Sequence, residues 1–334
     1  MIFKPPTVPQ ALSLKEIVKP ILPRLTQVED KLESVARESE GILREASAYV
    51  LSGGGKRLRA ALVLYCASLK EPSEKIYDSA VQAACAVELI HSATLVHDDI
   101  IDQAVLRRLK PTANIHFGND VAVLLGDFLY ARAFEMISKV GNASVTELMA
   151  RTTRLMCEGE LDQLKHRFRA DLTLEKYLSF IERKTAGLIS ASAESGAALV
   201  GLNLPEQKAL SSYGMNLGVA FQIVDDILDI VGLEQKTGKT LHTDMGNGKM
   251  TLPWILLRQA LEGEEQSNFI ERLQSPNTNW KTEVELADRH KIREKCETFA
   301  DNYLTASTSA TQIFPPTVRQ TLSALSNFVV RRDY

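Results

Sequence analysis

The stretch IYDSAVQAACAVELIHSATLVHDDIIDQ, residues 76–103, carries apolar side chains at helical spacing and ends with three aspartates. Apolar residues that recur every three or four positions predict an α-helix. Segments with the same periodicity lie at 26–51, 57–70, 119–139, 143–167, 173–200, 205–231, 251–262, 283–310 and 317–331. The whole pattern therefore predicts an all-α bundle of about ten or more mostly antiparallel helices.

The composition excludes several classes of protein. The chain has 334 residues, 45% of them hydrophobic and 24% charged, which is typical of a globular protein. A net charge of −3 gives no sign of a nucleic-acid partner, and the basic stretch 165–169 is interpreted as a solvated helix end. Four widely spaced cysteines without a C-x-x-C pair favour a reducing cytoplasm as the location. No linker-like segment divides the chain, so residues 1–334 are expected to form a single domain.

No membrane-spanning segment is expected. The N-terminus lacks the apolar core of a secretion signal, and no uninterrupted apolar run approaches the roughly 18 residues that a membrane helix needs. Peripheral contact with a membrane stays open, because an amphipathic face does not require a long apolar run.

Two acidic boxes stand out, DDIID at 98–102 and DDILD at 225–229. Positions i and i+4 share one face of a helix, so each box presents two carboxylates side by side in apolar surroundings. Because unpaired buried charge is costly, a cation is expected there, and oxygen ligands favour Mg²⁺, with Mn²⁺ as an alternative. Two such pairs predict a clamp for a metal-bound diphosphate. The candidate metal ligands from this spacing are Asp98, Asp102, Asp225 and Asp229.

Two rival interpretations of the acidic boxes are weaker. A solvated helix end accounts for one acidic box more readily than for two matching ones. A di-iron bundle requires two E-x-x-H motifs, and the chain has one, Glu88 to His91.

Cationic and polar residues near the boxes have the chemistry to bind phosphate. The sequence GGGKRLR at 53–59 combines a glycine turn with the start of a helix, which suits an anion. His91 precedes the first box by two helical turns on the same face. The loop that holds Asp244 and Lys249 is either a mobile lid or an ordinary surface loop. The full set of phosphate candidates is Lys56, Arg57, Arg59, His91, Arg107, Arg108, Lys184, Thr185, Gln222 and Lys239.

Together these motifs resemble the all-trans polyprenyl (isoprenyl) diphosphate synthase family, long-chain type. The resemblance covers nearly the whole chain, through GGGKRLR, ELIHSATLVHDDIIDQAVLRR, ERKTAGLI and FQIVDDILDI. It implies antiparallel helices around a deep central cavity, usually in a homodimer. It also implies a Mg²⁺-dependent transferase that condenses isopentenyl diphosphate with an allylic prenyl diphosphate.

The resemblance also assigns roles to single residues. It makes Asp98, Asp102, Asp225, Lys184 and Lys239 catalytic, with Asp226 and Asp229 as further metal ligands. It assigns the allylic diphosphate to Arg107, Lys184, Thr185, Gln222 and Lys239, and isopentenyl diphosphate to Lys56, Arg59, His91 and Arg108. Three features depart from the family pattern without removing a ligand: Ala60 stands where proline is common, Leu109 stands where glycine is common, and the tail RRDY at 331–334 is only loosely similar to the family.

The helix before the first box is expected to set product length. Short-product members of the family carry an aromatic residue four or five positions before the box, and here those positions are Thr94 and Ala93, with Ile90 deeper. Residues 81–97 contain no aromatic side chain apart from histidine. A hexaprenyl to decaprenyl product is therefore expected, from a farnesyl or geranylgeranyl primer. The aromatic side chains of 128, 130 and 134 are either the floor of the cavity or ordinary core residues.

Two alternative functions remain. A class I terpene cyclase also uses an acidic box and Mg²⁺, but it does not need a second diphosphate site at Lys56 and Arg59. A non-catalytic subunit of a heteromeric prenyl synthase commonly lacks one box, and this chain has both.

Overall fold

The computed structural model describes residues 17, 19–52, 55–231, 243–274 and 280–330, and most of them are helical. A 3₁₀ turn at Lys19–Ile21 precedes the first α-helix. The α-helices are α1 (Leu22–Arg37), α2 (Gly41–Leu51), α3 (Leu58–Ala67), α4 (Glu74–Ile101), α5 (Ala113–Phe117), α6 (Asn119–Val140), α7 (Ala143–Lys165), α8 (Leu174–Ile181), α9 (Gly187–Leu199), α10 (Leu204–Val231), α11 (Thr243–Gly246), α12 (Leu252–Ala260), α13 (Gly263–Leu273), α14 (Lys281–Arg289), α15 (Ile292–Ala310) and α16 (Pro316–Val330). A π-helical segment, Glu182–Ala186, joins α8 to α9. The all-α prediction is confirmed.

Two 28-residue helices, α4 and α10, carry the acidic boxes at their C-terminal ends. Helix α4 packs against α1, α3, α6 and α9, and α10 packs against α9, α15 and the π segment. Helix α9 therefore lies between the two. By length and composition α4 is apolar enough to cross a membrane, but 72% of its apolar window is buried within the protein. That burial is typical of a core helix.

Glycines allow α9 to approach its neighbours closely. A Cβ atom on Gly196 of α9 would lie 2.2 Å from the carbonyl oxygen of Val63 in α3. A Cβ atom on Gly214 of α10 would lie 2.8 Å from the carbonyl oxygen of Ile189 in α9. Any larger residue at either position would push the helices apart, and with them the elements that carry the boxes.

The predicted helices at 26–51 and 283–310 are each broken in two. Gly41 and Lys291, both at φ +53°, adopt the left-handed conformation at the break points. The predicted segment 173–200, by contrast, is helical throughout, because the π segment changes its phase without ending it.

The structure has a short antiparallel hairpin after the first box, which the sequence did not predict. Strands β1 (Leu106–Arg107) and β2 (Lys110–Pro111) pair with Arg107 opposite Lys110. The two residues of the turn, Arg108 and Leu109, have φ values of +53° and +63°. Positive φ at both central positions is the requirement of the two-residue turn that matches strand twist, and it is usually met by glycine or asparagine.

Candidate active site

The outer aspartates of the first box, Asp98 and Asp102, face one space. Their side chains are 20% and 19% exposed. Asp102 accepts hydrogen bonds from Arg167 and Lys249, each at 2.5 Å. The ammonium of Lys184 lies 3.5 Å from Asp98 Oδ2. Three cationic side chains of the protein therefore surround this pair of carboxylates.

The middle aspartate of the first box points away from that space. Asp99 is buried, and its carboxylate accepts hydrogen bonds from Arg107 Nε and Nη2 at 2.7–3.0 Å. Asp99 thus fixes the hairpin residue Arg107 beside the box.

The second box repeats this division between outer and middle aspartates. Asp225 and Asp229 are half-buried, and Asp226 is buried. Asp226 accepts a hydrogen bond from the Tyr177 hydroxyl at 2.6 Å and another from Gln222 Nε2 at 2.8 Å. Both of its oxygens are occupied by neutral donors, so its predicted role as a direct metal ligand stays a prediction.

Two segments of the chain bridge the boxes. In the π segment, Lys184 contacts Asp98 while the next residue, Thr185, donates a hydrogen bond to Gln222 of α10 at 2.9 Å. In the segment 243–250, Lys249 contacts Asp102, and the backbone N–H of Asp244 lies 3.4 Å from Asp229 Oδ2. Neighbouring residues reach both boxes in each case, so the boxes border the same space.

Burial and neighbouring charges shift the pKa values of the ionisable side chains between the boxes. Burial raises the pKa of Asp98, and nearby Glu160 and Asp102 raise it further, while Lys184 and Lys249 lower it. Burial lowers the pKa of Lys184, but Asp98 and Glu160 outweigh that effect, so its net pKa is raised. Glu160 forms an ion pair with Lys184. Additional positive charge in this space would therefore stabilise the carboxylates.

Predicted phosphate ligands form a second group next to the first box. Burial lowers the pKa of His91 well below its ordinary value, and the guanidinium groups of Arg59, Arg107 and Arg108 lower it further. The guanidinium of Arg108 lies beside Gly55, where a Cβ atom would be 3.3 Å from Nη2. The surroundings of His91 therefore favour the neutral imidazole over the imidazolium.

Lys56 and Arg59 follow Gly55 by one and four residues, at the turn that leads into α3. Lys56 Nζ lies 4.5 Å from the centre of the Phe328 ring. Burial lowers the pKa of Arg59, while Glu88 and Asp225 raise it. The charge of Asp225, an aspartate of the second box, thus favours the charged form of the Arg59 guanidinium.

Sequence reasoning missed three contact residues of the site: Glu160, Arg167 and Tyr177. The interpretation of 165–169 as a solvated helix end is wrong for Arg167, whose side chain is 20% exposed and paired with Asp102. Glu160 comes close to Lys184 because it follows Gly159, where a Cβ atom would lie 3.0 Å from the Arg183 side chain.

The predicted substrate contact Lys239 and the predicted product-length residues stay predictions. Lys239 lies outside the described residues. Of the residues assigned to product length, Thr94 is half-buried on the Asp98 face, with its hydroxyl donating to the His91 carbonyl at 2.7 Å. Ala93 and Ile90 are fully buried against neighbouring helices.

The donor set fits a hard divalent cation that a substrate helps to bind. Within the described residues, no three Asp, Glu, His or Cys side chains converge into a complete metal site. Two pairs of half-buried carboxylates, which the same two segments of the chain contact, are present instead. Mg²⁺ is usually carried by one or two carboxylates together with water and substrate phosphates, which corresponds to this arrangement.

Comparison with known proteins identifies the family. Residues 40–287 match the polyprenyl synthetase family. The chain belongs to this family. It is 35% identical to heptaprenyl diphosphate synthase component 2 of Geobacillus stearothermophilus, over 97% of this chain and 100% of that protein. It is 34% identical to octaprenyl diphosphate synthase of Escherichia coli strain K12, over 87% of this chain and 90% of that one.

Solved structures of polyprenyl synthases have the same fold. The polyprenyl synthase of Caulobacter crescentus CB15, crystallised with calcium and isoprenyl diphosphate, superposes with a TM-score of 0.90 at 32% identity, covering 98% of this chain and 100% of that one. A decaprenyl diphosphate synthase from Rhodobacter capsulatus gives 0.86 at 31% identity, with 95% and 98% covered. The chain is thus a prenyltransferase of the long-chain polyprenyl synthase type, with the isoprenoid synthase fold. The family binds isoprenoid diphosphates and depends on divalent metal.

Proposed function

We propose that this polyprenyl synthetase condenses isopentenyl diphosphate head-to-tail with farnesyl or geranylgeranyl diphosphate and repeats the step to a hexaprenyl to decaprenyl product. The observation that carries the proposal is the double bridge between the boxes, Lys184 with Thr185 on one side and Asp244 with Lys249 on the other. Such a space suits one metal-bound diphosphate, and the cation group beside it suits a second.

Asp98, Asp102 and Asp225, with Asp229 and Asp226, would hold Mg²⁺, or Mn²⁺ in its place. The metal supplies charge that stabilises the departing diphosphate. Lys184, Thr185, Gln222 and Arg107 hold the same diphosphate, with Lys239 as a further predicted contact.

The reaction then needs no nucleophilic side chain. The C–O bond of the allylic substrate breaks, and its electron pair leaves with the diphosphate. Lys56, Arg59, His91 and Arg108 orient isopentenyl diphosphate so that its double bond attacks the allylic carbocation. A new C–C bond forms, and the released diphosphate takes the proton that is lost.

The purified chain alone tests this proposal. With farnesyl diphosphate, isopentenyl diphosphate and Mg²⁺, it should release pyrophosphate and form prenyl diphosphates that mass spectrometry resolves. A hydrocarbon from farnesyl diphosphate alone would indicate a terpene cyclase instead. No turnover without an added second protein would indicate a non-catalytic subunit.

Product length is tested at Thr94, which has accessible surface on the Asp98 face. Thr94→Phe should shorten the product, and the near-isosteric Thr94→Val should leave it unchanged. Ala93→Tyr should also shorten it, although Ala93 is fully buried and its neighbours must move. If Thr94→Phe and Ala93→Tyr both leave the product unchanged, this wall does not set length.

A homodimer is supported by exposed apolar side chains near the first box. Among the described residues, six of the twelve exposed large hydrophobic side chains lie between 105 and 124. Apolar surface concentrated in this way is typical of an interface. Leu124→Glu should shift the mass measured by light scattering toward the monomer. Ile313→Glu, at a position elsewhere that is 56% exposed against 62% for Leu124, should not.

The domain organisation, the location in the cell and membrane contact are the remaining predictions. One hydrophobic cluster contains residues from Ile17 to Val330, which supports a single domain. The cytoplasm stays the expected location. Contact with a membrane surface stays a prediction, and vesicle flotation of the purified protein would test it.

A further inference from the structure

Glu88 lies in the middle of α4 and is 4% exposed. The reaction described above gives it no role. A buried carboxylate requires hydrogen bonds or an opposite charge, because desolvation of the charged form is costly. The partners of Glu88 therefore show what it does.

One oxygen of Glu88 anchors the start of α3. Glu88 Oε1 accepts the backbone N–H of Ala60 at 3.1 Å. Ala60 is the third residue of α3, and the first N–H groups of a helix have no partner within it. Glu88 thus supplies from another helix the acceptor that a capping residue usually provides.

The other oxygen of Glu88 faces Arg57, the residue that precedes α3. Arg57 Nη1 lies 3.5 Å from Glu88 Oε2, and Arg57 also makes two hydrogen bonds to Glu29 at 2.7 and 2.9 Å. Arg57 has φ +45°, a left-handed conformation that non-glycine residues rarely adopt. The two glutamates therefore secure the turn between Gly55 and α3.

The residues on either side of this turn are phosphate candidates. Lys56 precedes Arg57, and Arg59 lies between Arg57 and Ala60, so both flank backbone that Glu88 fixes. On α4 itself, His91 follows Glu88 by nearly one turn, on the same side of the helix. Glu88 also favours the charged form of the neighbouring Arg59 and Arg108.

We propose that Glu88 is a positioning residue for isopentenyl diphosphate: it fixes the start of α3 so that Lys56 and Arg59 converge with His91 and Arg108. This inference rests on the proposed function, which places isopentenyl diphosphate at that group. Glu88 contacts no substrate in this account, so its removal should affect one substrate selectively.

The test compares Glu88→Gln and Glu88→Ala with the wild type. Glutamine keeps an oxygen that can accept the Ala60 N–H but loses the charge that Arg57 faces, and alanine loses both. KM for isopentenyl diphosphate should rise about 3- to 10-fold in Glu88→Gln and further in Glu88→Ala. KM for farnesyl diphosphate should stay within about twofold of the wild-type value.

Glu283→Gln is the matched control. Glu283 is 2% exposed and pairs with Arg272 at 3.1 Å, so this substitution also removes a buried carboxylate charge, in α14. It should lower thermal stability and leave both KM values unchanged. If Glu88→Ala does not fold, Glu88→Gln and calorimetric binding of isopentenyl diphosphate still decide the question.

Arg59→Ala separates this inference from the proposed function. If Arg59→Ala raises KM for isopentenyl diphosphate and Glu88→Gln lowers only kcat or stability, the role of Glu88 is overturned. If neither Arg59→Ala nor Glu88→Gln changes that KM, the proposed isopentenyl diphosphate site itself is wrong.

Discussion

The two acidic boxes have nearly the same sequence but different surroundings. The outer aspartates of the first box face three cationic side chains, Lys184, Lys249 and Arg167. Its middle aspartate pairs with an arginine. In the second box the middle aspartate has the neutral donors Tyr177 and Gln222.

This difference shows that the D-D-x-x-D pattern fixes the faces of the aspartates but not the partners of the middle one. Burial and the nearby carboxylates Asp244 and Asp225 raise the pKa of Asp226 well above its ordinary value, while hydrogen bonds from Tyr177 and Gln222 lower it only partly. Asp99 has a guanidinium within hydrogen-bonding distance. One middle aspartate is therefore held by an ion pair, and the other by hydrogen bonds.

The outer aspartates should nevertheless be equivalent in catalysis. Asp98→Asn and Asp225→Asn should each lower kcat/KM by about 10²- to 10³-fold, since each removes a charge that would hold the metal on the leaving diphosphate. Steady-state kinetics at saturating Mg²⁺ measure this. A large loss in only one variant would show that one box alone holds the metal.

The middle aspartates should differ in stability. Asp99→Asn removes the charge that pairs with the Arg107 guanidinium and should lower the free energy of unfolding by about 2–3 kcal/mol, less than for a fully buried pair because Arg107 is 31% exposed. Asp226→Asn keeps an oxygen for Tyr177 or Gln222 and removes a costly charge, so it should change stability by less than about 1 kcal/mol. Urea denaturation of the metal-free protein at neutral pH measures both. Equal losses would contradict the distinction.

We expect the free energy of unfolding to fall in mild acid, because the cations beside the first box oppose protonation of His91 in the folded protein. Its pKa is depressed by burial and by Arg59, Arg107, Arg108 and Arg57. Below the ordinary histidine value of about 6.5 the unfolded chain binds a proton that the folded protein does not, so folding stability falls as pH falls.

His91→Gln should remove that part of the pH dependence. Urea denaturation at pH 7.5 and pH 5.5 should show a larger loss for the wild type than for His91→Gln. Identical losses would mean that the imidazole is protonated in the folded protein. With pyrophosphate and Mg²⁺ bound, the difference should shrink, because an anion favours the imidazolium.

Local spacing predicted the parts of the site that depend on one helix. The i, i+4 pairs Asp98–Asp102 and Asp225–Asp229 and the apolar stretches of α4 and α10 follow from helical periodicity. Helical periodicity did not predict contacts between distant segments. Lys249 contacts Asp102, which lies 147 residues away in the sequence, and Arg167 contacts Asp102 from 65 residues away. The left-handed conformation of the turn residues Arg108 and Leu109 was not predicted either, because arginine and leucine rarely adopt positive φ.

The smallest expected effect concerns Arg167, which occupies Asp102 in the first box. Because the guanidinium competes with metal for that carboxylate, Arg167→Gln should lower the Mg²⁺ concentration for half-maximal activity by about 2- to 5-fold. Lys165→Gln removes the same charge from an exposed position at the same helix end and is the control for long-range electrostatics. A rise in the Mg²⁺ requirement of Arg167→Gln would instead mean that Arg167 helps to bind the diphosphate. The first box would then recruit substrate with the same cations that neutralise it, whereas the described hydrogen-bond donors to Asp226 are the neutral side chains of Tyr177 and Gln222.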